Sequence, residues 1–329
     1  DRGFDETVHP VHGIKSSILS RSDKNHLSAY MRSSALSMLR KGITTFADFR
    51  EDGLDGVALL KDALSDLEIR CVRLGRPAYY FDAQSAKRNE DLPEEAKKEA
   101  ELVLKEADGF GISGANEYSD TALRYLAERA RSHNKLLGIH AAEAEPSHRY
   151  SVENFGRDEV SRIAEHLMPD FVVHMTNATD EEIKLVSSKN IGVVVCPRAN
   201  GVLGVGVPRV AAMLRSGCKL ALGTDNVMLN SPDLFRELDY LWKVSRAVEH
   251  ASVPARELLK MVTVNPAELL RLDGLGCIEE GMTADAVFVD THSLDLEPMH
   301  DPHLSIVHRA SESAIRSVMI GGRMVHGSL

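Results

Sequence analysis

Four short apolar runs in this chain each end in a residue able to hold a metal or move a proton. They read Gly138-Ile139-His140 with Glu143 three residues on, Phe171-Val172-Val173-His174, Val193-Val194-Val195-Cys196 leading into Pro197-Arg198-Ala199-Asn200, and Leu220-Ala221-Leu222-Gly223 leading into Thr224-Asp225-Asn226. A short aliphatic run bounded by turn residues reads as a buried strand. Helical spacing fills the intervals, over 160–167, 180–188 behind Thr179, 208–216 and 233–248. Strand–helix alternation at this pitch implies parallel pairing through crossovers. The architecture that gathers such strand ends on one face is a (β/α)8 TIM-type barrel, where C-terminal strand ends carry the chemistry.

The upstream half continues the pattern less regularly. The first twenty residues read as irregular, with Pro10, Gly13 and two histidines. Asp23 reads as the N-cap of a helix that stops at Gly42. Strands are expected over 43–49, 69–74 and 109–114, and helices over 57–67, 93–106 and 121–133. That makes seven strands, one short of a closed eight. From Ile278 the text changes to short strands split by Gly turns, among them 315–319 and 323–325. Residues 1–275 therefore read as the barrel, with its first strand absent. Residues 276–329 read as a segment contributing to a small β-sandwich appendage.

Composition narrows the partners. The formal net charge is −10 and no Lys/Arg cluster forms a stripe, which argues against nucleic acid. No apolar stretch approaches the roughly 20 residues of a membrane helix. Cys71, Cys196, Cys218 and Cys277 are scattered without a C-x-x-C pair, so reduced thiols and a cytoplasmic location are expected. A small molecule is the expected partner, and a homo-oligomer stays open.

Each motif has a bland reading beside the chemical one. His140 and Glu143 suit a metal ligand and a proton shuttle, or a rim histidine and a solvent-facing acid. His174 is a satisfied rim residue or a second ligand next to His140. Asp225 is the sharpest feature. Asp233 already supplies the next helix start, so Asp225 is free to bind a metal and take a proton from water. Arg198, Asn200, Asp48 and Lys15 are candidates for binding substrate. Cys196 reads as core. His9 and His12 read as a loop coincidence rather than ligands. Walker, Rossmann and G-x-S-x-G signatures are missing.

Together these segments resemble the amidohydrolase superfamily, in the branch of cytosine and guanine deaminases and triazine chlorohydrolases. The matching text is His-Ala-Ala-Glu at 140–143, His174, Val-Cys-Pro-Arg-Ala-Asn at 195–200, Gly-Thr-Asp-Asn at 223–226, and Thr-Val-Asn-Pro-Ala from Thr263. The resemblance implies His140, His174 and Asp225 around one divalent transition metal, Zn²⁺ ahead of Fe²⁺. It implies catalytic roles for Glu143, His174 and Asp225. The implied reaction is attack by a metal-bound hydroxide on an amino-substituted nitrogen heterocycle with loss of ammonia. Loss of chloride or another group, or binding without turnover, are the rival readings. Two-metal members place a lysine at the end of the fourth strand, and 109–114 has none. The family's His-x-His pair is also missing here and is expected just upstream of Asp1.

Overall fold

The computed structural model describes residues 3–8 and 13–328. Seven strands form one parallel sheet in chain order: β1 (Thr45–Phe49), β2 (Arg70–Gly75), β3 (Gly109–Ile112), β4 (Leu136–Ala141), β5 (Phe171–His174), β6 (Gly192–Val195) and β7 (Leu220–Leu222). Every residue of β3, β5 and β7 is buried. Strands covered on both faces need no polar alternation, which explains their continuous apolar text. The register pairs Ile112 with Ile139 and Ala141 with His174. It therefore levels the C-terminal ends of β4 and β5, with β3 ending two residues short of β4, and the residues following them meet at one rim.

Helices cross between the strands, and their starts are marked in the sequence. Asp23 accepts from the N–H groups of Asn25 and His26. Thr179 and Glu182 form a reciprocal capping box, and Asp233 accepts from the N–H of Arg236. The sheet curls so that both outer strands, β1 and β7, line one cavity. The helix Lys24–Arg40 helps draw them together. Its Tyr30 hydroxyl donates to the Val227 carbonyl at 3.1 Å, and its Met31 packs in one apolar cluster with Phe46 and Val227. The outer edge of β7 is not left open. Leu222 N–H donates to Met261 O at 2.9 Å, and Asn265 Nδ2 donates to Leu220 O at 2.7 Å.

Two glycines shape the interior. A Cβ on Gly111 would stand 2.7 Å from Phe49, and one on Gly138 would stand 2.9 Å from it. Their bareness admits the Phe49 ring, which meets Phe171 edge-on at 6.1 Å.

Three further strands, β8 (Ala286–Val289), β9 (Ile315–Ile320) and β10 (Arg323–Gly327), form an antiparallel sheet in the order β10-β9-β8. Gly321 and Gly322 turn the β9–β10 hairpin with φ of 55° and 80°, the left-handed pair that suits strand twist.

Several expectations need correction. The opening residues are not wholly irregular, since helices span Phe4–Val8 and Ile14–Arg21. Pro10, His9 and His12 lie outside the described residues. The C-terminal segment does not all join the small sheet. A helix at Pro302–Arg309 starts from the Asp301 cap and packs on the helix Leu234–Val248, with Val307 in the main core and His308 stacked on Trp242 at 5.0 Å. Five more helices were not expected: Ala83–Lys87, Glu145–Phe155, Pro197–Leu203, Ala255–Lys260 and Val264–Leu269. Pro197–Leu203 starts at a proline, which suits a first helical turn, and stops at Gly204 with φ 67°.

Candidate active site

A cavity of about 1110 Å³ opens at the C-terminal ends of the parallel strands. His140, Glu143, His174 and Asp225 all line it. One ligand atom from each of Glu143, His174 and Asp225 lies within 4.8 Å of the other two. The His140 ring stands 5.3 Å from the His174 ring. The tightest trio therefore contains Glu143, where the resemblance implies His140.

Local backbone presents these groups. Ala142, His174, Met175 and Asp225 all have φ between 46° and 80°, the left-handed region that costs a non-glycine residue free energy. Such turns end β4, β5 and β7 abruptly and leave Glu143, His174 and Asp225 lining the cavity. The connection is fastened by Asn177, whose Nδ2 donates to the Glu143 carbonyl at 2.7 Å. Met175 N–H donates to Ala141 O at 2.9 Å.

The hydrogen bonds decide which imidazole nitrogens are available. His140 Nδ1 lies 3.1 Å from the Ile112 carbonyl, so it carries the proton and leaves Nε2 with a lone pair. Burial, and then the neighbouring His174, lower the His140 pKa to about 3. The ring is thus a neutral lone-pair donor at working pH. Phe49 packs edge-on against it at 4.7 Å. His174 is 1 % exposed, and the Asn200 amide donates to its Nδ1 at 3.1 Å. Its Nε2 faces Glu143 Oε2 at 3.5 Å. Burial raises the Glu143 carboxyl to about 7, with Asp225 adding to the rise and His174 opposing it. A group poised there takes and returns protons with little bias.

The four substrate-binding candidates fall in two places. Lys15 and Asp48 line the cavity, each inside an ion pair: Lys15 with Glu51 at 2.5 Å and Asp48 with Arg50 at 2.9 Å. Arg198 and Asn200 do not line it, which corrects the expectation. The helix Pro197–Leu203 turns both away behind the wall. Arg198 is held by the fully buried Glu237 at 3.3 Å and by the Ser231 carbonyl. Asn200 is fully buried against His174, so its influence on the site runs through that ring. Cys196 is buried, as expected of a core thiol.

Sequence reasoning missed Phe49, Glu117 and Glu159. Only Gly111 and Gly138, at matched places in neighbouring strands, hint that a large ring needs room. Glu159 is 4 % exposed, accepts a hydrogen bond from Ala142 N–H, and lines the cavity. Burial raises its carboxyl to about 8 from an ordinary 4.5. The folded chain thus keeps a proton that the unfolded chain releases, and this group makes stability fall as pH rises from about 4.5 to about 8. Glu159→Gln still accepts from Ala142 but has no proton to lose. Urea midpoints should therefore decline less between about pH 5 and about pH 9 than in the parent. An unchanged decline would remove Glu159 as its source.

A profile of the amidohydrolase family matches residues 9–325. The chain belongs to the amidohydrolase family. A putative aminohydrolase of Methanothermobacter thermautotrophicus is 38 % identical over 324 residues, covering 98 % of this chain and 80 % of that protein. A 5-methylthioadenosine/S-adenosylhomocysteine deaminase of Teredinibacter turnerae is 31 % identical, covering 66 % of this chain and 50 % of its own length. Among solved structures, a zinc-bound adenosine deaminase of Xanthomonas campestris superposes with a TM-score of 0.83 at 21 % identity, covering 94 % of this chain and 72 % of that one. At that identity the likeness shows the amidohydrolase fold. No helix among the described residues is long and apolar enough to cross a membrane.

Proposed function

We propose that this amidohydrolase is a metal-dependent deaminase of an amino-substituted nitrogen heterocycle. The observation that carries the reading is the meeting of Glu143, His174 and Asp225 within 4.8 Å beside a neutral His140 whose Nε2 is free. Imidazole nitrogen and carboxylate oxygen suit Zn²⁺ or Fe²⁺, and the Ile112 carbonyl gives His140 the outer hydrogen bond typical of a metal-binding histidine. His140 and Asp225 would hold the ion, with His174 beside them. When bound, such a metal supplies the Lewis acidity that makes water nucleophilic near neutral pH.

The side chains do the rest. Asp225 accepts a proton from water, and His174 orients the water from the other side. A C–O bond forms at the amino-bearing ring carbon. Glu143 first protonates the adjacent ring nitrogen, then takes the proton of the newly formed hydroxyl and delivers it to the amine, and the proton held by Asp225 finally restores Glu143. The C–N bond breaks and ammonia leaves. The names of the relatives support the choice of an aminated ring. We infer the finer architecture to be a (β/α)8 barrel, since the seven-stranded sheet curls until its outermost strands β1 and β7 face one cavity. Residues 1–275 would form the barrel and 276–329 part of a β-sandwich. Four free thiols fit a reducing cytoplasm.

The test is ammonia release from aminated purines, pyrimidines, pterins and triazines, with and without a chelator. Turnover of one ring class, abolished by the chelator and restored by zinc, is expected. Chloride release without ammonia would identify a dechlorinating enzyme instead. Tight binding without any product would identify a non-catalytic barrel.

A further inference from the structure

The cavity continues past Glu143 to a carboxylate that the chemistry above leaves unused. Glu117 ends the short turn Ala115–Glu117 after β3 and lines the same cavity as His140. Its carboxylate lies over Gly114, where an added Cβ would stand 3.2 Å from Oε2. That oxygen is buried and has no hydrogen-bond partner among the described residues. A buried acceptor in this state favours any ligand that donates to it. Burial also raises the Glu117 carboxyl above its ordinary 4.5, although the neighbouring Ser113 hydroxyl, which falls short of a well-formed hydrogen bond to Oε2, and then Arg76 and Lys15 pull it down.

The cations that line the cavity are already committed. Among the described residues, Lys15 pairs with Glu51 at 2.5 Å and Arg50 with Asp48 at 2.9 Å. Arg76 lies 3.5 Å from Glu51 and donates to Gly111 O and the Tyr80 hydroxyl. Glu117, Glu159 and Asp225 have no Lys or Arg partner among the described residues, and Glu143 pairs only with His174. Away from the metal ligands a ligand therefore meets a wall rich in acceptors, with no Lys or Arg among the described residues to spare for an anion.

We propose that Glu117 selects the substrate by accepting a hydrogen bond from a hydroxyl- or amino-bearing arm of the heterocycle, and that the site rejects arms ending in phosphate or carboxylate. This rests on the deaminase reading for the ring and adds the chemistry of what the ring carries.

The test uses the zinc-loaded protein and three matched pairs: adenosine and AMP, guanosine and GMP, cytidine and CMP. Calorimetric binding and ammonia release are measured for each, with the free bases as controls. In at least one pair the nucleoside should bind roughly tenfold or more tightly than its monophosphate. Glu117→Ala should weaken nucleoside binding by about tenfold and leave free-base binding unchanged. Glu117→Gln should narrow the nucleoside-to-monophosphate ratio. The parent's ratio needs no variant, so a poorly folding mutant leaves the test intact. Equal or tighter binding of the monophosphate overturns the proposal. So does a ratio that Glu117→Gln leaves unmoved, or the failure of every nucleoside to bind. Selective binding without ammonia would instead overturn the deaminase reading and leave the selectivity standing.

Discussion

Glu143→Gln is expected to lower kcat/KM by roughly 10²–10⁴-fold while leaving metal content unchanged, the range set by loss of a general acid–base group. Gln keeps the shape of the side chain and its distance to His174, which is 3.5 Å in the parent. It neither takes up nor gives a proton at neutral pH. The parent carboxyl sits at about 7 because burial raises it, so both its forms are populated where the enzyme would work. The measurement is steady-state ammonia release beside elemental analysis of the same preparation. A variant with full metal and full activity would show that protons travel by another route. A variant that loses metal would place Glu143 in the ligand shell, as its membership of the tight trio allows.

The second large effect is expected at Asp225. Asp225→Asn should weaken zinc binding by about 100-fold or more, since even residues outside the ligand shell typically contribute 10–100-fold. Activity should fall with it, because Asn offers neither a full negative charge nor a site for the water proton. Asparagine is the informative replacement because the position has φ of 55°, which Asn adopts with little strain. Loss of metal then reports on the missing charge and not on a rebuilt turn. Competition with a chromogenic chelator gives the affinity, and a urea midpoint close to the parent's excludes unfolding. Unchanged zinc affinity would remove Asp225 from the ligand set.

The strands behind this site were legible for a physical reason. Strands covered on both faces carry unbroken apolar text, so β4 to β7 announce themselves within three to six residues. The helix starts at Asp23, Thr179 and Asp233 were legible because a cap is a local hydrogen bond between residues two or three apart. The helix Pro197–Leu203 was not. Seven residues are too few to show a helical period, and Cys-Pro reads equally as a loop. That single ambiguity put Arg198 and Asn200 in the substrate's path, whereas the helix sets them behind the wall on Glu237 and His174. Glu117 and Glu159 carry no local mark at all. Each becomes part of the site because a chain connection returns it to the rim near His140.

The residue types and their order along the chain determined the class of chemistry: imidazole and carboxylate at the ends of successive parallel strands. Those signals are local, since strand period, cap and turn are written within a few neighbours. Tertiary structure alone decided which nitrogen of His140 is free, that Asn200 serves His174, and that Glu143 titrates near neutrality. It also decided that every described cation along the cavity is already paired. These properties depend on burial and on distances of 3 to 5 Å between residues that lie far apart in sequence, and such distances exist only once the sheet has curled.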